Sequence, residues 1–254
     1  MGKEAYIPKR HQTFRALVEK TLTHTPLFRS EILYPERLGK AREVLQNGTG
    51  LCIVANHPSR KETVQMFQIP FGDKEFRKRE IVAPVALHQK FPFMDTLSRI
   101  FAVDLKYIVT EETIKQAEKK GAHGLRKNQG VSKYINNALG VLSNGGILIL
   151  FPQGTRRETL YSSENPQTIG SLMLYAKRAD VRMGFLFVGV DLAEEVEDYS
   201  KTRGFNIFKK YKLTIGETLT DNEVLEKAGG NLREVDNVVY KHLEPLVSPK
   251  YAGI

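Results

Sequence analysis

Five short runs of the chain are mainly apolar at consecutive positions rather than alternate ones: 51–55 (LCIVA), 81–87 (IVAPVAL), 107–110 (YIVT), 147–151 (ILILF) and 184–190 (GFLFVGV). A strand that is apolar on both faces has no solvent side, so it belongs in a sheet covered above and below by helices. Stretches with helical spacing lie between the runs, among them Val131, Tyr134, Ile135, Ala138, Leu139 and Leu142. This alternation predicts an α/β fold: one layered domain whose mixed, largely buried sheet is flanked by helices. With 254 residues and no internal repeat or linker, a single domain is expected over 1–254. It divides into an N-terminal helical segment (1–35), an α/β core (36–220) and C-terminal helices (221–254).

Several local expectations follow. Residues 12–24 place Phe14, Leu17, Val18 and Leu22 on one helical face and Arg15, Glu19 and Lys20 opposite, an amphipathic helix expected to pack its apolar face on the core, with basic flanks that also fit membrane docking. A second helix over about 36–47 stops at Asn47 and Gly48. Pro84 places the strand 81–87 at an edge or a bulge, because proline has no amide hydrogen for a ladder. The polar, glycine-punctuated segment 111–130 reads as a helix end and an exposed loop. Residues 211–219 (YKLTIGETL) read as a further strand, followed by helices at 221–228 and 231–247. The second of these opens on Asn231 and Glu234 at capping-box spacing.

Composition narrows the setting. Cys52 is the only cysteine, so no intrachain disulfide and no cysteine metal site is expected, and a reducing cytoplasm is the default. No run approaches the roughly 18 to 20 apolar residues of a membrane span, and MGKEAYIPKRHQTF lacks a signal peptide's apolar centre. A net charge of +9 points to anionic partners. The absence of a zinc-finger spacing, an aromatic RNA-binding strand or a recognition helix argues against nucleic acid among them.

Two polar clusters each follow a buried run. The first is Asn56, His57 and Glu62; the second is Pro152 to Arg157 (PQGTRR). Ligands in α/β sheets collect where strands hand over to loops, so the two clusters are candidates for one shared pocket. A histidine acts as a general base near neutrality when a carboxylate fixes its tautomer and stabilises the imidazolium. Glu62 reaches back to His57 if residues 58–62 form a helical turn opened by Pro58. No G-x-S-x-G pattern supplies a nucleophile, so such a dyad would activate a hydroxyl of the substrate. In the second cluster Gly154 permits close backbone approach, Thr155 offers a hydroxyl and Arg156 a planar fork for phosphate oxygens. Each cluster also has a plain structural reading, a satisfied histidine and a strand-ending turn with solvated arginines.

The two motifs together resemble a known pair. NHPSRKE is similar to the NH-x4-D signature, and LFPQGTRRE to the FPEGTR signature, of the glycerolipid acyltransferases that include the 1-acylglycerol-3-phosphate acyltransferases. The similarity spans about residues 30–220. The helix VSKYINNALGVLSNGG precedes the second motif, and LFVGVD and LTIGETL follow it. The resemblance implies a glycerol-phosphate acyltransferase-like fold and transfer of a fatty acyl group from a thioester, acyl-CoA or acyl carrier protein. The acceptor would be a hydroxyl of lysophosphatidic acid or a related glycerol phosphate, in phospholipid biosynthesis.

By the same resemblance His57 is the base and Glu62 orients it, while Arg60, Gln153, Gly154, Thr155 and Arg156 bind substrate. Lys106 is the nearest match to the family's middle-motif arginine. No metal or organic cofactor is implied. The implied partner surface is the anionic inner face of a membrane, approached reversibly through N-terminal helices corresponding to residues 8–34. The run FPFMDTLSRIFAVD (91–104) is a candidate lining for an acyl groove, or an ordinary core helix. Two departures stand out: Glu62 replaces the family's aspartate, and Gln153 its glutamate. They admit a loop adapted to another acceptor, or a silent relative that binds lipid or an acyl carrier without turnover.

Overall fold

The computed structural model describes residues 6–24, 30–58, 65–90, 92–154, 159–161, 168–193 and 210–253. In chain order the elements are α1 (Lys9–His24), β1 (Ser30–Leu33), α2 (Leu38–Gln46), β2 (Gly50–Ala55), α3 (Gln68–Gly72), β3 (Ile81–Ala86), α4 (Met94–Ile100), β4 (Val103–Ile108), α5 (Glu111–Lys119), α6 (Val131–Ser143), β5 (Ile147–Leu150), α7 (Thr168–Arg178), β6 (Met183–Leu192), β7 (Tyr211–Thr220), α8 (Asp221–Lys227), α9 (Val235–Leu243) and α10 (Pro249–Ala252).

The strands form one seven-stranded sheet in the order β1, β7, β6, β2, β5, β3, β4. The last five run parallel; β7 is antiparallel to β6, and β1 is parallel to β7. The α/β architecture with a mixed, mostly parallel sheet and flanking helices is thus the one the apolar runs predict. Every residue of β2, β5 and β6 is buried, as strands between two helical layers must be. Close approach sets one of the glycines: a Cβ on Gly50 would stand 2.6 Å from the carbonyl oxygen of Leu142, because the end of α6 rests on the start of β2.

The structure corrects several expectations. Strand β4 begins at Val103, not 107; Asp104 and Lys106 hide it from an apolar-run search. Segment 111–130 contains a complete helix, α5, whose N-terminus is closed by a reciprocal pairing of Thr110 and Thr113. Helix α9 starts at Val235, and Asn231 instead makes a tight turn by accepting the amide of Arg233. The described residues of 8–34 form one helix and an edge strand rather than helices throughout. Pro84 is not at an edge, since β3 lies between β5 and β4. The proline coincides with a broken ladder instead: β3 pairs β5 only through Ile81 and Val82, while its pairing with β4 runs on to Ala86.

Helix α1 keeps its predicted orientation at Val18, which packs against the core, and at the exposed Lys20, and departs from it at Phe14, Leu17 and Arg15. Phe14 and Leu17 are exposed, at 47% and 59%, and Arg15 is fully buried. The Arg15 guanidinium donates to four backbone carbonyls: Phe101 (2.7 Å), Ala102 (2.7 Å), Arg77 (2.9 Å) and Arg79 (2.6 Å). Those carbonyls belong to the turns that lead into β3 and β4, and only a planar fork with several donors can serve them all. Hydropathy alone sends Arg15 outward because it takes no account of unsatisfied carbonyls at strand starts.

Arg15→Ala should lower the unfolding free energy by about 3 kcal/mol, and Arg15→Lys, with one ammonium for four acceptors, by about 2 kcal/mol. Phe14→Ser and Leu17→Ser should each change it by less than about 0.5 kcal/mol. Urea titrations of the four variants test this placement directly.

Candidate active site

Strands β2 and β5 are parallel neighbours with Val54 opposite Leu150. The chain therefore leaves both at the same edge of the sheet and side by side, which brings the first cluster against the start of the second.

Asn56, fully buried, extends β2 by side chain where its backbone pairing with β6 stops at Ala55 and Val188. Its amide nitrogen donates to the carbonyl of Val190 at 2.7 Å, and its amide oxygen accepts the Val190 amide at 2.6 Å. A carboxamide offers one donor and one acceptor at the spacing of a peptide group, so asparagine closes both bonds at once. The residue after it is thereby held at the rim of the sheet.

His57, half-buried, stacks its ring on Phe151, the first residue beyond β5, with centroids 4.5 Å apart and planes 24° off parallel. Its backbone amide donates to Oε1 of Gln153 at 2.7 Å. Ring and backbone of His57 are thus both tied to the segment that follows β5.

Gln153 is 2% exposed and faces inward. Its amide nitrogen donates to the carbonyls of Thr159 (3.0 Å) and Leu160 (3.1 Å), and lies 3.4 Å from the hydroxyl of Tyr251 on α10. Gln153, to which the resemblance gives a substrate-binding role, makes its hydrogen bonds inside the protein. Gly154 closes the turn by donating its amide to Phe151 O at 3.0 Å with φ of 66°, a left-handed backbone that favours glycine. The turn is also fastened by Thr168, whose hydroxyl donates to Pro152 O at 3.1 Å.

Helix α7 follows this loop, yet its N-terminus is already occupied. The carboxylate of Asp236 accepts the amides of Thr168, Ile169 and Gly170 at 2.9–3.0 Å. Burial holds this carboxyl above the usual range, with the three amide bonds pulling the other way.

Lys106 is not brought to His57. It stands on β4, with β3 and β5 between it and β2, and its ammonium pairs with Asp104 at 2.8 Å. Asp104 is held in turn by the amide of Asn137 on α6. Arg60, Glu62, Thr155 and Arg156 lie outside the described residues. Among the described residues no three His, Cys, Asp or Glu side chains gather as a metal site.

Tyr251 is the contributor that sequence reading missed. Besides its hydroxyl, its carbonyl accepts the amide of Leu160 at 2.7 Å, and Ser248 ahead of it donates its backbone amide to Asp191 at 2.6 Å. A signal was present: Ser248 followed by Pro249 is a helix start, with the serine at the cap and proline in the first turn.

Asn56→Ala leaves the Val190 amide and carbonyl without their partners and should cost about 3 kcal/mol in chemical denaturation, more than truncating an exposed polar residue. Compared with models of known protein families and with curated proteins, the chain matches none.

Proposed function

We propose that the protein is an O-acyltransferase of glycerolipid type, with a glycerol-phosphate acyltransferase-like fold. The observation that carries this reading is the placement of His57, at the end of β2, against the Gln153–Gly154 turn at the end of the neighbouring β5. The described parts of the two motifs, residues 56–58 and 150–154, lie side by side although about a hundred residues separate them in the chain, which supports this reading.

In the proposed reaction the His57 imidazole takes the proton of an acceptor hydroxyl as that oxygen attacks the thioester carbonyl of an acyl donor. The tetrahedral adduct collapses, the carbon–sulfur bond breaks, and the thiolate recovers the proton from the imidazolium. Glu62 orients the base, and Arg60, Thr155 and Arg156 hold the acceptor phosphate; the resemblance alone assigns these four roles. No metal or organic cofactor enters the scheme. The acceptor is lysophosphatidic acid or a related glycerol phosphate, and the donor is acyl-CoA or acyl carrier protein.

A surface on the opposite character of the molecule supports a lipid partner. The outward face of α1 carries Phe14 and Leu17 between the exposed bases Lys9, Arg10 and Lys20, while its one acid, Glu19, turns toward Gly72. Helix α4 ends against α1, where Ile100 O meets Nδ1 of His11 at 2.8 Å. Its own exposed stripe, Phe93, Leu97 and Ile100, recurs at helical spacing. The acyl-groove candidate 91–104 thus faces outward over much of its length. Apolar residues rimmed by cations suit reversible docking on the anionic inner face of a membrane. No helix among the described residues is long and apolar enough to cross one.

Thiol release from a long-chain acyl-CoA should depend on added lysophosphatidic acid and fall by at least about a hundredfold in His57→Ala, the scale of a lost general base. Acceptor-independent silence, repeated with acyl carrier protein and glycerol 3-phosphate, would favour a relative that binds lipid or carrier without turnover. In flotation with anionic liposomes at low salt, the wild type should rise with the vesicles. Phe14→Ser/Leu17→Ser should stay behind, and added salt should weaken wild-type binding.

A further inference from the structure

We propose that Gln153 is a positioning residue whose carboxamide sets the backbone of His57, and that the turn around it is built for an amide and rejects a carboxylate. The inference rests on the reading of His57 as the base, and it explains one departure from the FPEGTR pattern as a fitted feature rather than a decayed one.

The donors and acceptors around the Gln153 side chain are unlike on its two sides. On one side of the Gln153 side chain stands a single backbone donor, the amide of His57. On the other stand two backbone acceptors, the carbonyls of Thr159 and Leu160. An acceptor is required toward β2 and a donor with two hydrogens toward 159–160, and a primary amide is the one side chain of this length that supplies both. The environment also fixes which way the amide faces, since the reversed orientation sets an NH2 against an N–H and an oxygen against two carbonyls. A carboxylate in the same place keeps the bond from His57 but points its second oxygen at the two carbonyl oxygens, with only the long contact to the Tyr251 hydroxyl, 3.4 Å from that position, to offset them inside a site 2% exposed. Only as the protonated acid does it recover a donor.

The consequence reaches the base through its backbone. His57 N–H, the stacking of its ring on Phe151, and the clamp of Asn56 on Val190 are three restraints on one residue. Losing the first lets the imidazole drift from the alignment a proton transfer needs, while leaving the surfaces that bind substrates unchanged.

The test compares purified wild type, Gln153→Glu and Gln153→Ala by thermal melting and by acyl transfer across about pH 5 to pH 8. In the unfolded chain a glutamate at 153 ionises near its ordinary value of about 4.3, whereas in the folded chain it is held protonated to higher pH. The unfolded state then binds fewer protons than the folded one between those two values, so stability falls as pH rises through that window. Gln153→Glu should therefore melt close to wild type at the acid end and progressively below it toward pH 8. Gln153→Ala, which adds no charge, should melt below wild type by an offset that does not change with pH. Well below the melting temperatures, an ionised glutamate that turns away from the two carbonyls gives up the His57 amide as well, so kcat of Gln153→Glu at the alkaline end, and of Gln153→Ala at every pH, should fall roughly tenfold relative to wild type with KM for the acyl donor unchanged.

A Gln153→Glu variant as stable and as active as wild type throughout the range overturns the inference. So does a pH-independent offset equal to that of Gln153→Ala, which reduces Gln153 to a packing residue. If wild type transfers no acyl group, the functional reading falls while the melting profiles still decide whether the turn demands an amide.

Discussion

The paired hydrogen bonds between the Asn56 carboxamide and the backbone of Val190 are the constraint on which the arrangement at the sheet's edge depends. Parallel strands must stop somewhere, and the residue after the last ladder bond is ordinarily free to leave in any direction. Here the ladder between β2 and β6 is continued by a side chain that imitates a peptide group, so His57 leaves β2 along a fixed path. Gln153 performs the complementary task on the other side, linking the segment after β5 to the backbone of His57. Both fasteners are neutral, which avoids the several kcal/mol that a buried ion costs before any partner offsets it.

Arg15 shows the opposite solution in the same molecule. A guanidinium is buried under α1 because four carbonyls at the starts of β3 and β4 converge there, and its face lies 5.4 Å from the centre of the Phe71 ring. The helix that carries it consequently presents Phe14 and Leu17 to the outside. The exposed apolar face and the buried cation are therefore two results of one rotation of the helix.

How much of this was legible in the sequence follows from where the free energy lies. Strands β2, β5 and β6 were legible because burial on both faces demands unbroken apolar runs, and β7 because its alternation survives beside one covered face. Strand β1 was not: four residues, SEIL, at the edge of the sheet carry too little burial to leave a pattern. Helix α5 was hidden for a related reason, since Thr113 is its only buried residue and its cap uses two threonines instead of the usual threonine and glutamate. The residue types at the site were readable, and so was their position after buried strands. That β2 and β5 are neighbours was not, because strand order is decided by helical crossovers far from either motif. The inward turn of Gln153 was equally invisible, since it answers carbonyls at 159–160 that no local spacing announces.

The broken ladder at Pro84 gives the sheet a mechanical seam. From β6 to β5 the strands are bonded along most of their length, and moving one against another means breaking many bonds together. Beyond β5 only Ile81 and Val82 hold the ladder, while β3 and β4 are joined to each other from end to end. Past Val82 the β3–β4 pair is joined to the rest of the sheet by side-chain packing, with α6 lying across β2, β5, β3 and β4, and no longer by ladder bonds to β5.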